Sequence, residues 1–365
     1  MGTIHPYETT NGRRYRVAYR KPDRSQGTKR GFRTKKQAEL YLATIEVSKS
    51  QGDYIDPAAG RVTIDRYGTE WMRGLSHLKP SARRSIDSAW RTWVSPRWGK
   101  WPLVSIKHSD VKAWVSDISA ERSATTTARA YGVLASILDS AVLDRRIHSN
   151  PARGVKLPRK VRARKVYLSH EKVELLAEEA GDVAALVYLL AYTGMRWGEA
   201  SALRIRDVDL IRRRASIVDN AVAVGGQIVV GSPKTHRVRS VPFPKFVARL
   251  LTDQMQDKGP DNLLFGDGQR HLALPHSRQG WFAQAVRRVQ ARDESFPRLT
   301  PHELRHTAAS LSVAAGANVK AVQRMLGHAS AAMTLDIYAD LFDDDLDGVA
   351  DALEAARAKA LSGVA

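Results

Sequence analysis

Residues 151–166 divide the chain, and this stretch sets the main limit on how the chain can fold. It contains prolines and seven basic residues but no acidic residue. Because proline and uncompensated charge oppose burial in a core, we expect an extended linker with folded regions on either side. Such a linker is stabilised most when it lies along a phosphate backbone. The alternative is a flexible spacer.

The charge of the chain also indicates a polyanionic partner. The chain has 58 Lys and Arg residues against 38 Asp and Glu residues, a net charge of +20. Residues 61–164 alone hold 21 basic and eight acidic residues. The longest apolar stretch, residues 183–192, is far shorter than the ~20 residues of a membrane span. We therefore expect nucleic acid rather than a membrane as the partner.

The chain contains no cysteine. This excludes disulfides, thiolate metal sites and thiol nucleophiles. The first six residues carry no apolar signal segment. Together these features predict an intracellular protein.

The first part of the chain is predicted to form two structural regions. In residues 1–56, Asn11-Gly12 is typical of a two-residue hairpin, and Thr34 precedes Gln37 at the spacing of a helix capping box. A small basic β-sheet followed by one helix is expected. Residues 62–150 show apolar residues at helical spacing and six of the eight tryptophans, which we interpret as core packing. Basic residues of this region and of the linker are candidate contacts to nucleic-acid phosphates: Arg83, Arg84, Arg91, Lys156, Arg159, Lys160, Arg162 and Arg164.

The rest of the chain is predicted to be a mixed α+β domain. Ser169 can cap a helix, and the apolar run 183–192 is a buried helix closed by Gly194. Alternating segments over 208–218 and 221–230 indicate a small antiparallel sheet. Helices are expected from about Lys245 to the end. The whole chain is therefore expected to be multidomain and mainly α, with small antiparallel sheets.

Cleavage of a phosphodiester without a metal needs a nucleophile, cations on the non-bridging oxygens and an acid for the leaving alkoxide. The segment 193–199, T-G-M-R-W-G-E, places Arg196 just after the glycine that ends the buried helix. Glu199 lies on the same face if a new helix begins there, and can then hold the guanidinium. Taken alone, this pair is typical of a surface ion pair.

The segment 300–306, T-P-H-E-L-R-H, predicts a helix start. Thr300 and Glu303 have capping-box spacing, and proline suits the first helical position. His302 and Arg305 then share a face of the first turn, where free amides favour an anion. His306 is predicted to point elsewhere and to have a structural role.

A third group of candidate residues follows residues 319–326, which form an amphipathic helical pattern closed by Gly327. His328 comes directly after that glycine. Tyr338 follows ten residues later and is the only tyrosine after Tyr192. It is therefore the one phenolic nucleophile candidate in this half of the chain, although a lone tyrosine is usually a packing residue.

The ordered set of Arg196, His302, Arg305, His328 and Tyr338 resembles the signature of the tyrosine recombinases of the phage integrase kind, over about residues 165–340. In that family a lysine in a β-hairpin turn completes the site. The segment 232–235, S-P-K-T, matches it and gives Lys234.

The resemblance implies a mechanism. Tyr338 attacks the scissile phosphate to form a 3′-phosphotyrosyl link and releases a 5′-hydroxyl, while Arg196 and Arg305 clamp the non-bridging oxygens. His302 and His328 donate hydrogen bonds, and Lys234 protonates the 5′ oxygen. Neither ATP nor a metal ion is chemically required, and no cofactor is expected.

The resemblance also implies an organisation and partners. Residues 1–56 resemble an arm-type DNA-binding domain, residues 62–150 a core-binding domain, and residues 167–340 the catalytic domain. Expected partners are double-stranded DNA with core-type and arm-type sites, a homotetramer acting through a Holliday junction, a host DNA-bending protein and an excision factor. The expected location is the cytoplasm of a bacterial host, at the nucleoid, and the expected role is integration and excision of phage or mobile-element DNA.

Residues 341–365 are expected to form a tail helix with an apolar stripe that includes Leu353 and Ala356. The hypothesis is that this helix docks on a neighbouring protomer, and packing on its own domain is the alternative. Two other functions stay open from the sequence: a type IB topoisomerase, which uses the same chemistry, and a DNA-binding regulator without catalysis. The second leaves the ordered set of site residues unexplained.

Overall fold

The computed structural model describes residues 2–160, 165–231, 238–341 and 346–362. The chain forms two compact units, residues 1–161 and 162–365. Both are mainly helical with small antiparallel sheets, as the sequence predicts. Among the described helices, none is long and apolar enough to cross a bilayer.

The first unit begins with a three-stranded antiparallel sheet of order β1-β2-β3, on which a helix packs around Val17 and Ala38. Five further helices follow and share a second, larger core. The elements are β1 Thr3–Tyr7, β2 Arg14–Arg20, β3 Gln26–Phe32, α1 Lys35–Ser50, α2 Ile64–Arg73, α3 Pro80–Ala89, α4 Ser95–Trp98, α5 His108–Glu121 and α6 Ala124–Leu143.

The helix cap and the hairpin predicted for the N-terminal region are both present, although the turn of the hairpin differs in detail. Thr34 caps α1 by accepting a hydrogen bond from the amide of Gln37, and the Gln37 side chain accepts one from the amide of Arg33. The hairpin is present, and Thr9 and Gly12 exchange backbone hydrogen bonds in the register of the strands. The tight turn therefore lies at Thr10 and Asn11, one residue before the predicted Asn11-Gly12.

The tryptophans of the helical region are packing residues. Trp98 and Trp114 are buried and meet edge to face, with ring centroids 5.6 Å apart. The other four pack against the same core, and Arg97 lies over the rings of Trp98 and Trp101. This geometry agrees with the prediction of core packing.

The basic stretch between the units is anchored at both ends. Val155 and Leu157 pack against the helical core of the first unit. At the other end, Val166 packs on the core of the second unit, just before Leu168, whose amide donates to Thr307. The expected linker is thus shorter than its sequence boundaries, because apolar residues at each end find a core. Its residues 161–164 lie outside the described part of the chain.

The second unit packs eight described helices around two small sheets, a three-stranded sheet of order β4-β5-β8 and the hairpin β6-β7. A ninth described helix is the tail. The elements are α7 His170–Ala180, α8 Ala184–Thr193, α9 Trp197–Ala202, β4 Val208–Asp209, β5 Arg214–Ile217, β6 Asn220–Val224, β7 Gln227–Gly231, β8 Arg239–Pro242, α10 Lys245–Gln254, α11 Trp281–Arg292, α12 Leu304–Ala314, α13 Val319–Leu326, α14 Ala331–Tyr338 and α15 Leu346–Ser362.

The predicted helix ends of this unit are largely confirmed. Ser169 caps α7, while Gly194 and Gly327 close α8 and α13 in the left-handed conformation. The expectation of continuous helices from Lys245 is wrong over residues 255–280, which contain no helix. Prolines and glycines bend this segment, and Leu264 is held against the fold by a backbone hydrogen bond to Leu203.

The core of the second unit yields a stability prediction. Leu190 is fully buried in α8, whereas Leu274 is 57% exposed. Leu190→Ala should lower the free energy of unfolding by about 2–5 kcal/mol, since it removes buried methyl groups and leaves a cavity. Leu274→Ala, as control, should change it by less than about 0.5 kcal/mol. Urea unfolding measures both, and equal losses would contradict the placement of α8 in the core.

Candidate active site

Arg196 lies at a corner that the backbone defines. Gly194 ends α8 with a φ of +64°, and Arg196 is the residue that precedes α9. Glu199 accepts hydrogen bonds from the Arg196 amide at 2.8 Å and from its Nη1 at 2.9 Å. The contact expected from the i, i+3 spacing is therefore present. It differs from a surface ion pair because the Glu199 side chain is only 1% exposed.

Arg239 is a site residue that sequence reasoning missed. Its Nη1 and Nη2 donate to the two oxygens of Glu199 at 2.9 and 2.6 Å, and its Nε donates to the carbonyl of Met325 at 3.3 Å. The sequence did carry a signal. Arg239 stands two residues before Val241, so both face the same side of a strand, and the structure shows that Val241 is fully buried. A cation that shares a buried strand face needs a buried partner.

The two arginines affect the pKa of Glu199 more strongly than its burial does. Burial by itself raises the pKa of Glu199, but the hydrogen bonds and charge of Arg239, together with Arg196, lower it below its ordinary value. Glu199 is therefore ionised at neutral pH. One negative charge between two guanidinium groups leaves net positive charge at the site.

Arg305 is buried and bound to neutral groups. Its Nη1 donates to the carbonyl of Gly194 and its Nη2 to the carbonyl of Leu326, both at 2.5 Å. Burial and the nearby charge of Arg196 lower its pKa to about 10, so it stays charged at neutral pH. Its hydrogen-bond partners among the described residues are carbonyls, so its charge is not paired directly with a carboxylate there. It also ties the end of α8 to the end of α13.

The helix predicted from segment 300–306, with Pro301 as its first residue, begins three residues later than predicted. Residues 301–303 form a turn, and α12 begins at Leu304. Glu303 accepts from the Thr300 amide, which is half of a capping box, but the Glu303 amide bonds the Thr300 carbonyl and closes a turn. His302 therefore sits in the turn before Arg305 rather than in the helix, and its backbone carbonyl accepts from the Arg305 amide at 3.2 Å.

The two histidines that frame the site are neutral at physiological pH. Partial burial, followed by the charges of Arg305 and Arg196, lowers the pKa of His302 and lowers that of His328 to about 4. His328 Nδ1 lies 3.0 Å from Thr334 Oγ1. When the threonine donates this bond, the other ring nitrogen of His328 carries the proton and can donate to an anion.

Tyr338 ends α14 and is buried, with 1% of its surface exposed. Its ring stacks on His328, with centroids 6.2 Å apart and planes inclined by 12°. Lys165 Nζ lies 5.5 Å from its ring centroid. Its hydroxyl lies 2.8 Å from His306 Nδ1. The prediction that His306 points away from the other site residues is thus wrong, because its ring contacts the tyrosine at the end of α14.

Residues from four segments therefore meet around one cluster. Arg196, Arg305, His302, His328 and Tyr338 interact electrostatically or by ring contact. Lys234 lies outside the described residues, as do Arg162 and Arg164. Of the other candidate DNA contacts, Arg83 pairs with Asp87 at 3.1 Å. The remainder are exposed: Arg84, Arg91, Lys156, Arg159 and Lys160.

Comparison with known proteins shows which family this chain is similar to. Residues 167–344 match the model of the phage integrase family. The chain is 29% identical over 329 residues to the integrase of Mycobacterium phage D29, which covers 84% of each chain. It is 27% identical to a tyrosine recombinase of Thermosipho africanus over 66% of this chain and 82% of that one.

Solved structures show the same fold. An integrase of the Tn1549 transposon, in complex with transposon right end DNA, superposes with a TM-score of 0.66 at 23% identity, over 79% of this chain and all of that one. A lambda integrase dimer bound to a COC′ core site gives a TM-score of 0.57 at 17% identity, over 93% of this chain and 95% of that one.

The shared carboxylate of Glu199 makes a prediction about stability and pH. Arg239→Met should lower the free energy of unfolding at neutral pH by about 3–5 kcal/mol, because Glu199 is left buried with one partner instead of two. The stability that an ionised Glu199 contributes is complete above its unfolded pKa near 4.5. It is lost as the pH falls through its lower folded value, so the difference from the parent should shrink in acid.

Chemical denaturation of both proteins across this pH range measures the effect. The control is Arg212→Met, whose partner Asp209 is exposed and 3.8 Å away, and it should change stability by less than about 1 kcal/mol. A loss at Arg239 that is the same in acid as at neutral pH would contradict the assignment.

Proposed function

We propose that this chain is a tyrosine recombinase of the phage integrase kind and uses the residues around Tyr338 to cut and rejoin DNA at specific sites. Its similarity to the phage integrase family model over residues 167–344 and to integrases and a tyrosine recombinase supports the proposal. The observation that carries the proposal is the meeting of a buried tyrosine with two arginines and two histidines from separate segments. Such a set supplies a nucleophile and the groups that stabilise an anion.

The roles proposed for these residues follow from their environment. Arg196 and Arg305 bind the non-bridging oxygens of the scissile phosphate, since Arg305 is paired only with carbonyls among its described hydrogen bonds and Arg196 shares its carboxylate with Arg239. Neutral His302 and His328 donate hydrogen bonds as negative charge develops. These donors act without a change of their own charge.

In the proposed reaction Tyr338 Oη attacks phosphorus while the bond to the 5′ oxygen breaks. The product is a 3′-phosphotyrosyl link and a 5′-hydroxyl whose proton is supplied by Lys234. A 5′-hydroxyl of the partner duplex then attacks the phosphotyrosine, and two such exchanges pass through a Holliday junction. The phosphodiester bond energy is conserved in the protein–DNA link, so no nucleotide cofactor has to be consumed.

The DNA contacts outside the catalytic cluster are proposed from charge and exposure. Residues 1–56 are proposed to bind arm-type sites and residues 62–150 core-type sites, with Arg84, Arg91 and Lys156 among the exposed cations. A homotetramer, a host DNA-bending protein and an excision factor are the proposed partners. The proposed place of action is the nucleoid of the bacterial host, and the proposed role is integration and excision of phage or mobile-element DNA.

The tail helix is proposed to join neighbouring protomers. In α15, Leu353 is 67% exposed and Leu361 is 58% exposed, and Ala356 is exposed as well. An apolar stripe left open to solvent is stabilised by burial against another surface. A topoisomerase is not favoured, because relatives that match most of the chain include integrases and a transposase.

The central prediction concerns Tyr338. A pool of nicked suicide duplexes, randomised over the core, should yield a covalent adduct with the parent protein, and the recovered sequence then serves as a defined substrate. Tyr338→Phe should form no adduct, because it lacks the attacking oxygen, yet should bind the same duplex in a gel shift. An undiminished adduct with the variant would refute the assignment.

The tail makes a separate prediction. Deletion of residues 346–365 should leave binding to a single core site unchanged but reduce assembly on paired sites, as read by native gels or light scattering. Leu353→Ser should show the same defect more weakly, and Glu354→Ser, at the next position, should not. Normal assembly by the deletion protein would show that the tail packs on its own domain.

A further inference from the structure

His306 lies against the reacting atom of the nucleophile and has no role in the reaction described so far. Its Nδ1 is 2.8 Å from Tyr338 Oη, within the normal range for a hydrogen bond. The two rings meet edge to face, with centroids 5.6 Å apart and planes at 65°. His306 is the third residue of α12 and directly follows Arg305. The helix that anchors a phosphate-binding guanidinium thus also carries a side chain to the tyrosine hydroxyl.

The environment of His306 favours its neutral form. The ring is half-buried, and burial, followed by the charges of His302 and Lys165, lowers its pKa below the ordinary value of 6.5. A neutral imidazole has one nitrogen that donates and one that accepts. When Nδ1 is the acceptor, Tyr338 donates its phenolic proton to His306. The charged and titratable groups that act on His306 are His302, Lys165, Glu303, Arg305 and His328.

The position of the tyrosine ring does not depend on this hydrogen bond alone. The ring is buried in the core of the second unit and stacks on His328, and Lys165 lies over it. These contacts orient the ring, whereas His306 contacts the oxygen that must lose its proton. A purely positional role would duplicate what packing already provides.

We propose that His306 is a catalytic residue that takes the phenolic proton of Tyr338 as its oxygen attacks the scissile phosphate. This inference rests on the proposed function. During cleavage the Oη–H bond breaks and Nδ1 gains the proton, while the Oη–P bond forms and the P–O5′ bond breaks. The 5′ oxygen receives a different proton, from Lys234.

In rejoining, each proton returns by the reverse route. The incoming 5′-hydroxyl attacks phosphorus and gives its proton to Lys234, and the departing tyrosine oxygen takes its proton back from the His306 imidazolium. No oxidant, metal ion or water is consumed. The charge of the imidazolium also lies next to the tyrosine oxygen when that oxygen leaves, where it stabilises developing negative charge.

The test compares two variants with a matched control on the duplex recovered with the parent protein. His306→Asn places an amide near the position of Nδ1 and keeps a hydrogen-bonding group, but an amide cannot take a proton at neutral pH. His306→Ala removes the ring and leaves space for imidazole. The control is His170→Asn, since His170 Nδ1 contacts Tyr192 Oη at 2.6 Å, a histidine–tyrosine pair outside the site.

Single-turnover adduct formation is the measured quantity, with DNA binding and thermal melting followed for each protein. His306→Asn should slow adduct formation by about 10²–10⁴-fold, the usual contribution of a positioned base, and His170→Asn should not. The defect should persist on a 5′-bridging phosphorothiolate duplex, because that leaving group removes the need for Lys234 but not for a proton acceptor. Added imidazole should restore adduct formation by His306→Ala.

The pH dependence gives a readout that a structural role would not change. The parent rate should fall as the pH drops through the lowered pKa of His306, because protonation removes the acceptor. In His306→Asn that step should be absent, and the rate should rise with pH as hydroxide or ionisation of the phenol itself replaces the missing base.

The experiment distinguishes failure of this inference from failure of the proposed function by whether the parent protein forms an adduct. No adduct from the parent would end the proposed function. An adduct from the parent together with an equal rate for His306→Asn, or a phosphorothiolate duplex that restores His306→Asn, would overturn the role of His306 alone. Failure of imidazole to rescue His306→Ala while the protein still binds DNA would overturn it as well.

Discussion

The buried carboxylate of Glu199 is the interaction on which the site depends. A lone ionised carboxylate with 1% of its surface exposed is strongly disfavoured, and only excellent hydrogen bonding offsets its desolvation. Arg196 and Arg239 provide that bonding from two different segments. Because Arg239 also bonds the Met325 carbonyl, one carboxylate fixes the start of α9, the strand β8 and the end of α13. The corner that holds Arg196 is therefore set by electrostatics as much as by backbone conformation.

The distribution of charge explains why the cluster suits a phosphate. Arg305 donates its described hydrogen bonds to carbonyls, and Arg196 shares one carboxylate with Arg239. The histidines are neutral because burial, followed by the charges of the same cations, lowers their pKa values. The result is a partly buried region with fixed positive charge and neutral donors. An anion that enters it gains Coulombic stabilisation that water would largely screen.

The features that the sequence predicted correctly are those that depend on residues close together in the chain. The caps at Ser169 and Gly194 depend on a few neighbouring residues, and both were found where expected. The motifs also pointed to Arg305 and Tyr338, which lie close enough in the fold to interact electrostatically. By contrast, the roles of Arg239 and His306 depend on partners 40 and 32 residues away. No local pattern encodes such contacts, because they arise only when separate elements pack together.

The start of α12 shows a second limit. Thr300 and Glu303 have the spacing of a capping box, yet the chain closes a turn before the helix begins. The competing requirement is the burial of Arg305, whose guanidinium has to reach two carbonyls from other helices. Tertiary hydrogen bonds thus outweigh the local preference. His302 is presented from this turn, which places it beside the cations at the edge of the site.

The convergence of these side chains on one phosphate is the claim that most needs a direct measurement. A crystal or cryo-electron microscopy structure of the Tyr338→Phe protein on its DNA substrate would provide it. The account predicts that the guanidinium groups of Arg196 and Arg305 lie within about 3 Å of the non-bridging oxygens of the same phosphate, with residue 338 in line behind it. Guanidinium groups bound to different phosphates, or facing different surfaces, would contradict it.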